Sequence, residues 1–138
     1  MSETRSLASV TVGEKLPSLE IPLSRTLIVA TAIASRDYQD VHHDPELAKE
    51  RGSPDIFMNI LTTNGFVGRF VTDWTGPGAT LRKIDIRLGA PNYPGDTMTV
   101  EGAVTAKDDA AGTIEVSVRG ANQLGDHVTG TVLVALPS

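Results

Sequence analysis

Asp37 and His42 stand five positions apart in the polar stretch that runs from Ser35 to Ala48. A carboxylate and an imidazole that share one water can divide general acid–base work. The carboxylate takes a proton, and the imidazole orients or returns one. The spacing is common in loops. Taken alone it favours the plainer reading, in which Asp37 and Asp44 are helix caps and His42 is a solvated loop residue. His43, next to His42, points elsewhere in most backbones. A metal site built from His42, His43 and Asp44 is therefore the less favoured reading. Tyr38 reads as a packing residue with a wet hydroxyl.

The flanking elements must hold this pair in place. The apolar run 27–34 precedes it, with Ser24 or Thr26 available as a cap. A short helix is expected there, although the β-branched residues also permit a strand. After the pair, Asp44 is a candidate N-cap and Pro45 fits the first helical position, so residues 45–51 read as one or two turns closed by Gly52. The pair then lies in a loop between two helices, where catalytic groups are often displayed. The longest helix is expected over 57–74, where Phe57, Ile60, Leu61, Val67, Phe70, Val71 and Trp74 recur at helical spacing. Gly65 and Gly68 interrupt that pattern, at a cost of about 1 kcal/mol each against alanine. Close packing against a sheet is the expected reason for both. Gly76-Pro77-Gly78 ends the helix.

The remainder reads as strands. Leu19, Ile21 and Leu23 suggest a short edge strand. Alternation recurs over 81–88, with Leu81 out of phase, and again over 97–107, 113–122 and 127–136. Residues 90–96, 108–112 and 123–126 carry turn chemistry. His127 lies in the last strand and reads as structural. Three or four long antiparallel strands beside one long helix make an α+β domain whose open sheet edges call for a partner. The whole chain, 1–138, is expected to be a single domain, with 1–15 as a loose N-terminal arm.

Composition narrows the chemistry. Twelve basic residues against seventeen acidic ones give a net charge of −5. No basic surface for phosphates is implied, so nucleic acid is not expected as a partner. Arg82, Lys83 and Arg87 could still meet individual phosphates, although a solvated strand face is the default for them. There are no cysteines, which excludes disulfides, thiol nucleophiles and zinc-thiolate sites. Residues 1–12 lack the apolar core of a signal peptide, and no apolar run is long enough to span a bilayer. A cytoplasmic setting without membrane contact is the expectation.

The segment Ser35-Arg36-Asp37-Tyr38-Gln39-Asp40-Val41-His42 resembles the Ser-Gly-Asp-x-Asn-Pro-Leu/Ile-His signature of the MaoC-like (hydratase 2) hotdog family. The segment Arg87 to Thr97, ending in Pro94-Gly95-Asp96-Thr97, resembles that family's strand-turn block. The resemblance covers about residues 20–135. It implies a hotdog fold, an antiparallel sheet wrapped around one long central helix. It also implies addition of water to a trans-2-enoyl-CoA to give a 3-hydroxyacyl-CoA, of R configuration by family likeness. Asp37 and His42 fall on the family's catalytic positions. Gln39 would orient either of them through its amide. Met58-Asn59 stands where the family commonly has His-Gly, which places both residues at the substrate, with the Asn59 N–H holding the thioester oxygen. Neither a metal nor a redox cofactor is implied, since coenzyme A belongs to the substrate. Three further departures are Arg36 for glycine, Gln39 for asparagine and Asp40 for proline.

Residues 37–44, 52–61 and 71–74 look like one branch of the family, the small subunit of a heteromeric enoyl-CoA hydratase of bacterial steroid side-chain degradation. That likeness implies hetero-oligomerisation with a larger hotdog-containing subunit, which docks a thiolase-like aldolase. Two other readings of the same fold remain. One is an acyl-CoA thioesterase, which would release free thiol. The other is a non-catalytic acyl-binding hotdog subunit.

Overall fold

A computed structural model describes residues 3–138. Along the chain the elements are β1 (Leu19–Pro22), α1 (Arg25–Ala34), α2 (Pro45–Glu50), α3 (Ile60–Thr75), β2 (Thr80–Leu88), β3 (Thr97–Asp108), β4 (Thr113–Asn122) and β5 (Gly125–Ala135). The strands form one antiparallel sheet in the order β1-β3-β4-β5-β2. Period-two alternation decides its inner face. Met98, Val100 and Val104 of β3 are buried with Ile114, Val116 and Val118 of β4 and Val128, Val132 and Val134 of β5. Val67, Phe70, Val71 and Trp74 of α3 fill the concave side of that sheet. A Cβ at Gly102 would lie 2.6 Å from Ser117 O and 2.9 Å from the Phe70 ring. Phe70 therefore packs on bare backbone, and only glycine permits that approach.

The short edge strand, the strand pattern and the helix caps follow the local signals. Ser24 Oγ accepts the Leu27 N–H at 3.0 Å, and Asp44 Oδ1 accepts the Glu46 and Leu47 N–H groups ahead of Pro45. Leu81 is out of phase because the β2–β5 register shifts between Leu81 and Lys83. One extra residue in a strand reverses the facing of everything beyond it. Leu81 and Ile84 consequently both turn toward α3.

Three expectations need correction. The long helix starts at Ile60 instead of residue 57, because Asn59 caps it in extended conformation and Phe57 and Met58 form the entry segment. Its two glycines are not equivalent. A Cβ on Gly68 would meet Ile84 Cδ1 at 3.3 Å, whereas a Cβ on Gly65 meets nothing within 4 Å. Gly68 packs on the sheet, and Gly65 borders an open groove between α1 and α3. The N-terminal arm is not loose over its described part; residues 1 and 2 lie outside the described residues. The Arg5 N–H donates to Thr75 O and the Leu7 N–H to Pro137 O, both at 2.7 Å. Leu7 and Val10 are buried, and the Arg5 guanidinium lies 4.3 Å from the Trp74 ring centroid. Two apolar residues three apart in a polar arm suffice to close the end of the core.

The last turn is also tighter than expected. Gly125, at φ 124°, already belongs to β5, which leaves Gln123 and Leu124 as the loop. Among the described residues no helix is long and apolar enough to cross a membrane. β1 and β2 are the two outer strands of the sheet.

Candidate active site

The site begins where α1 stops. The Arg36 N–H donates to Ile33 O and the Asp37 N–H to Ala32 O, both at 2.9 Å, closing the last turn. That reversal places Arg36 in the left-handed region at φ 58°, at a cost of about 1–2 kcal/mol for a side chain other than glycine. Asp37 is the next residue and leaves the helix end facing the entry to α3. Residues Asp40–His42 then form a single 3-10 turn. Arg51 clamps it, with Nε 2.6 Å from Asp40 Oδ1 and Nη2 2.8 Å from Oδ2. This two-pronged contact is the chief reason the Asp40 carboxyl is held below the usual carboxylate range.

His42 is buried by that turn, at 6 % exposure. Its ring stands edge-on to Phe57, with centroids 5.0 Å apart. Nδ1 is 2.7 Å from Phe57 O. A carbonyl only accepts, so Nδ1 carries the hydrogen and the neutral ring presents a bare Nε2. Nε2 lies 3.4 Å from Asp37 Oδ2. Two acceptors at that separation are reconciled by a proton on Nε2, or by a water that gives one hydrogen to each. The two side chains singled out by type and spacing are thus brought together.

The rest of the predicted set is placed as follows. Gln39 reaches Asp37 with its main chain, since its N–H donates to Oδ1 at 3.3 Å, while its side chain is exposed. Asn59 is 1 % exposed and touches the site directly. Its Nδ2 is 3.2 Å from Asp37 Oδ2 and 2.9 Å from Ser35 Oγ. Its Oδ1 accepts the Thr62 N–H at 3.3 Å and also contacts the Thr62 hydroxyl. Among the described residues the N–H groups of Asn59, Ile60 and Leu61 have no acceptor, as befits the first turn of a helix. Met58 faces inward. It is 4 % exposed, and its N–H is taken by Asn92 O at 3.1 Å. His43 Nε2 is 3.1 Å from Tyr38 O, and Asp44 is committed to capping α2. Tyr38 is 67 % exposed and does not pack.

Several residues here escaped sequence reasoning. Ser35 could have been found from the motif it opens. Thr62 could have been found from its cap spacing to Asn59. Asn92 gave no local signal. It is fully buried, and its Oδ1 accepts from Asn122 Nδ2 at 2.8 Å while its main chain holds the Met58 segment. His127 is a structural pin. Its Nδ1 is 2.7 Å from Ala90 O and its Nε2 2.8 Å from Thr63 Oγ1, tying β5 to the start of α3. Beside the site, Thr31, Ala34, Ser35, Leu61, Thr62, and Phe66 border the α1–α3 groove, of about 360 Å³.

An antiparallel sheet wrapped around a single long helix is the hotdog fold. The solved structures share it: an R-hydratase, PhaJ1 from Pseudomonas aeruginosa, superposes with a TM-score of 0.87 at 21 % identity, covering 96 % of this chain and 86 % of that one. The chain belongs to the MaoC-like family, whose MaoC like domain matches residues 8–123, and is an enzyme of that hydratase and dehydratase group. It is 54 % identical over 125 residues to the 3-oxo-4,17-pregnadiene-20-carboxyl-CoA hydratase beta subunit of Mycobacterium tuberculosis, covering 91 % of this chain and 95 % of the relative. A chain of the ChsH1-ChsH2 complex from the same organism superposes with a TM-score of 0.88 at 53 % identity, covering 91 % and 98 % of the two chains. The (R)-hydratase from A. caviae involved in PHA biosynthesis gives a TM-score of 0.82 at 27 % identity, covering 94 % and 98 %.

Proposed function

We infer that this chain hydrates a trans-2-enoyl-CoA, with the acyl group a steroid side-chain thioester. The observation that carries the reading is the 3.4 Å approach of His42 Nε2 to Asp37 Oδ2 while His42 Nδ1 is pinned on Phe57 O. A water held between those two acceptors donates both hydrogens and turns a lone pair outward. Its oxygen attacks the β-carbon as Asp37 takes the proton, and the Cα=Cβ electrons move onto the thioester oxygen. The free N–H groups at the start of α3, Asn59 first among them, stabilise that negative charge together with the helix dipole. The enolate then collapses, and the proton returns to the α-carbon with His42 holding the relay. The balance is one water added across one double bond, with neither a metal nor a redox cofactor taking part.

Support for the steroid acyl group is the identity to the pregnadiene-carboxyl-CoA hydratase subunit, and the apolar α1–α3 groove beside Ser35 offers room for its ring system. Likeness to a chain of a two-component complex supports a hetero-oligomer; in this reading the partner is a larger hotdog-containing subunit on which a thiolase-like aldolase docks. The setting in this reading is cytoplasmic.

The test is co-expression with the candidate larger subunit, followed by hydration assays on steroid and short-chain enoyl-CoA with free thiol measured in parallel. Hydration without thiol release is expected. Asp37→Asn should lower kcat by about 10²–10⁴-fold with an unchanged circular dichroism spectrum. Full activity in that variant, or stoichiometric thiol release, refutes the reading.

A further inference from the structure

We propose that Asn59 is a positioning residue whose side-chain NH2 locks the Asp37 carboxylate in the orientation that proton transfer requires. The proposal deepens the hydratase reading and rests on it. An asparagine amide could present either its oxygen or its NH2 to a carboxylate, and here its surroundings decide. The Thr62 N–H, 3.3 Å from Oδ1, can only donate, so the amide oxygen must face the helix. At the other end, Ser35 Oγ lies 2.8 Å from Thr31 O and 3.0 Å from Ala32 O. Its one hydrogen goes to the carbonyls at the end of α1, which leaves the hydroxyl as an acceptor toward Asn59 Nδ2 at 2.9 Å. The second Nδ2 hydrogen then has Asp37 Oδ2, at 3.2 Å, as its partner.

The cap of one helix and the end of another therefore fix which way the amide points. With Asn59 on Oδ2 and the Gln39 N–H on Oδ1, the carboxylate is held at both oxygens and cannot turn away from His42 without breaking a hydrogen bond. At 1 % exposure no bulk water replaces the Asn59 contact.

Two substitutions separate this role from simple capping. Asn59→Ser keeps a good N-cap oxygen but is too short to reach Asp37. Asn59→Asp keeps the shape and the cap acceptor and sets a second carboxylate against Asp37. Both are measured in the same assembly as wild type, with the thermal midpoint recorded. Asn59→Ser is expected to lower kcat about tenfold or more with KM little changed, with a melting temperature lowered by the lost buried hydrogen bonds. Asn59→Asp is expected to move the acidic limb of the kcat/KM–pH profile up by about one pH unit, through like-charge repulsion. Because it is nearly isosteric, the aspartate variant decides the question if the serine variant fails to fold.

Asp37→Asn is run alongside. If that variant remains active, the hydratase reading itself is lost. If it is inactive while both Asn59 variants keep wild-type kcat and an unmoved acidic limb, the positioning role alone is overturned. Loss of activity with the acidic limb unmoved in Asn59→Asp also overturns it, leaving Asn59 as a cap.

Discussion

Replacing Gly65 with alanine should stabilise the chain, whereas the same change at Gly102 should damage it. Gly65 lies inside α3 with ordinary helical backbone, and a Cβ there meets nothing within 4 Å. The helix-propensity gain of about 1 kcal/mol is then unopposed. An unfolding entropy of roughly 2.1 cal/mol/K per residue over the 138 residues converts that gain to a rise of about 3–4 °C in Tm. At Gly102 the new methyl group would sit 2.6 Å from Ser117 O and 2.9 Å from the Phe70 ring. Either Phe70 leaves its seat or β3 moves away from β4. Overpacking of that kind costs about 1–3 kcal/mol, which lowers Tm by about 3–10 °C. Gly68 falls between, because its Cβ would press on the mobile end of Ile84 at 3.3 Å. Gain and strain nearly cancel there. Thermal unfolding of the purified chain, followed by circular dichroism with a check of reversibility, gives the three values. A lower Tm for Gly65→Ala, or an unchanged one for Gly102→Ala, would show that the packing argument is wrong.

Two pH experiments follow from the titrating groups. Burial pushes His127 below its ordinary value of 6.5, opposed in part by its contact with Ala90 O. The unfolded chain therefore binds this proton at a pH where the folded chain does not. The stability His127 contributes is complete above about pH 6.5 and is lost as pH falls toward the lower folded value. Urea unfolding between pH 7.5 and 5 should show stability declining with acid, less steeply in His127→Gln; equal slopes would count against this assignment. Arg51→Met should return Asp40 toward the ordinary carboxylate range, since hydrogen bonding to Arg51 is the largest cause of its lowered value. Carboxyl-carbon NMR titration reads this directly, and an unmoved Asp40 would contradict the clamp.

Local chemistry was readable wherever its effect is local. Ser24 and Asp44 cap their own helices, Pro45 opens α2, Gly76 at φ 89° ends α3, and the alternation of 97–136 marks β3 to β5, because each depends only on residues a few positions away. The motif around Asp37 and His42 likewise pointed to the family without any contact being known. Tertiary contacts decided the rest. The apolar period of α3 runs on through Phe57, so its start at Ile60 was hidden until the cap contact of Asn59 with Thr62 was seen. Leu81 looked misplaced until β5 supplied the register shift. Gly65 and Gly68 carry the same local signal, and only the position of Ile84 tells them apart. Leu7 and Val10 look like part of a polar arm until they meet the open end of the core.

By itself, then, the sequence determined the element types, the inward-facing residues of β3 to β5 and the candidate acid–imidazole pair. Only the tertiary structure decided that His42 Nε2 would face Asp37, and that Asn59, 22 residues along the chain, would reach the same carboxylate. Helix caps and strand alternation are short-range and periodic. The convergence of side chains from the end of one helix and the start of another depends on how α1 and α3 pack, which no local pattern records.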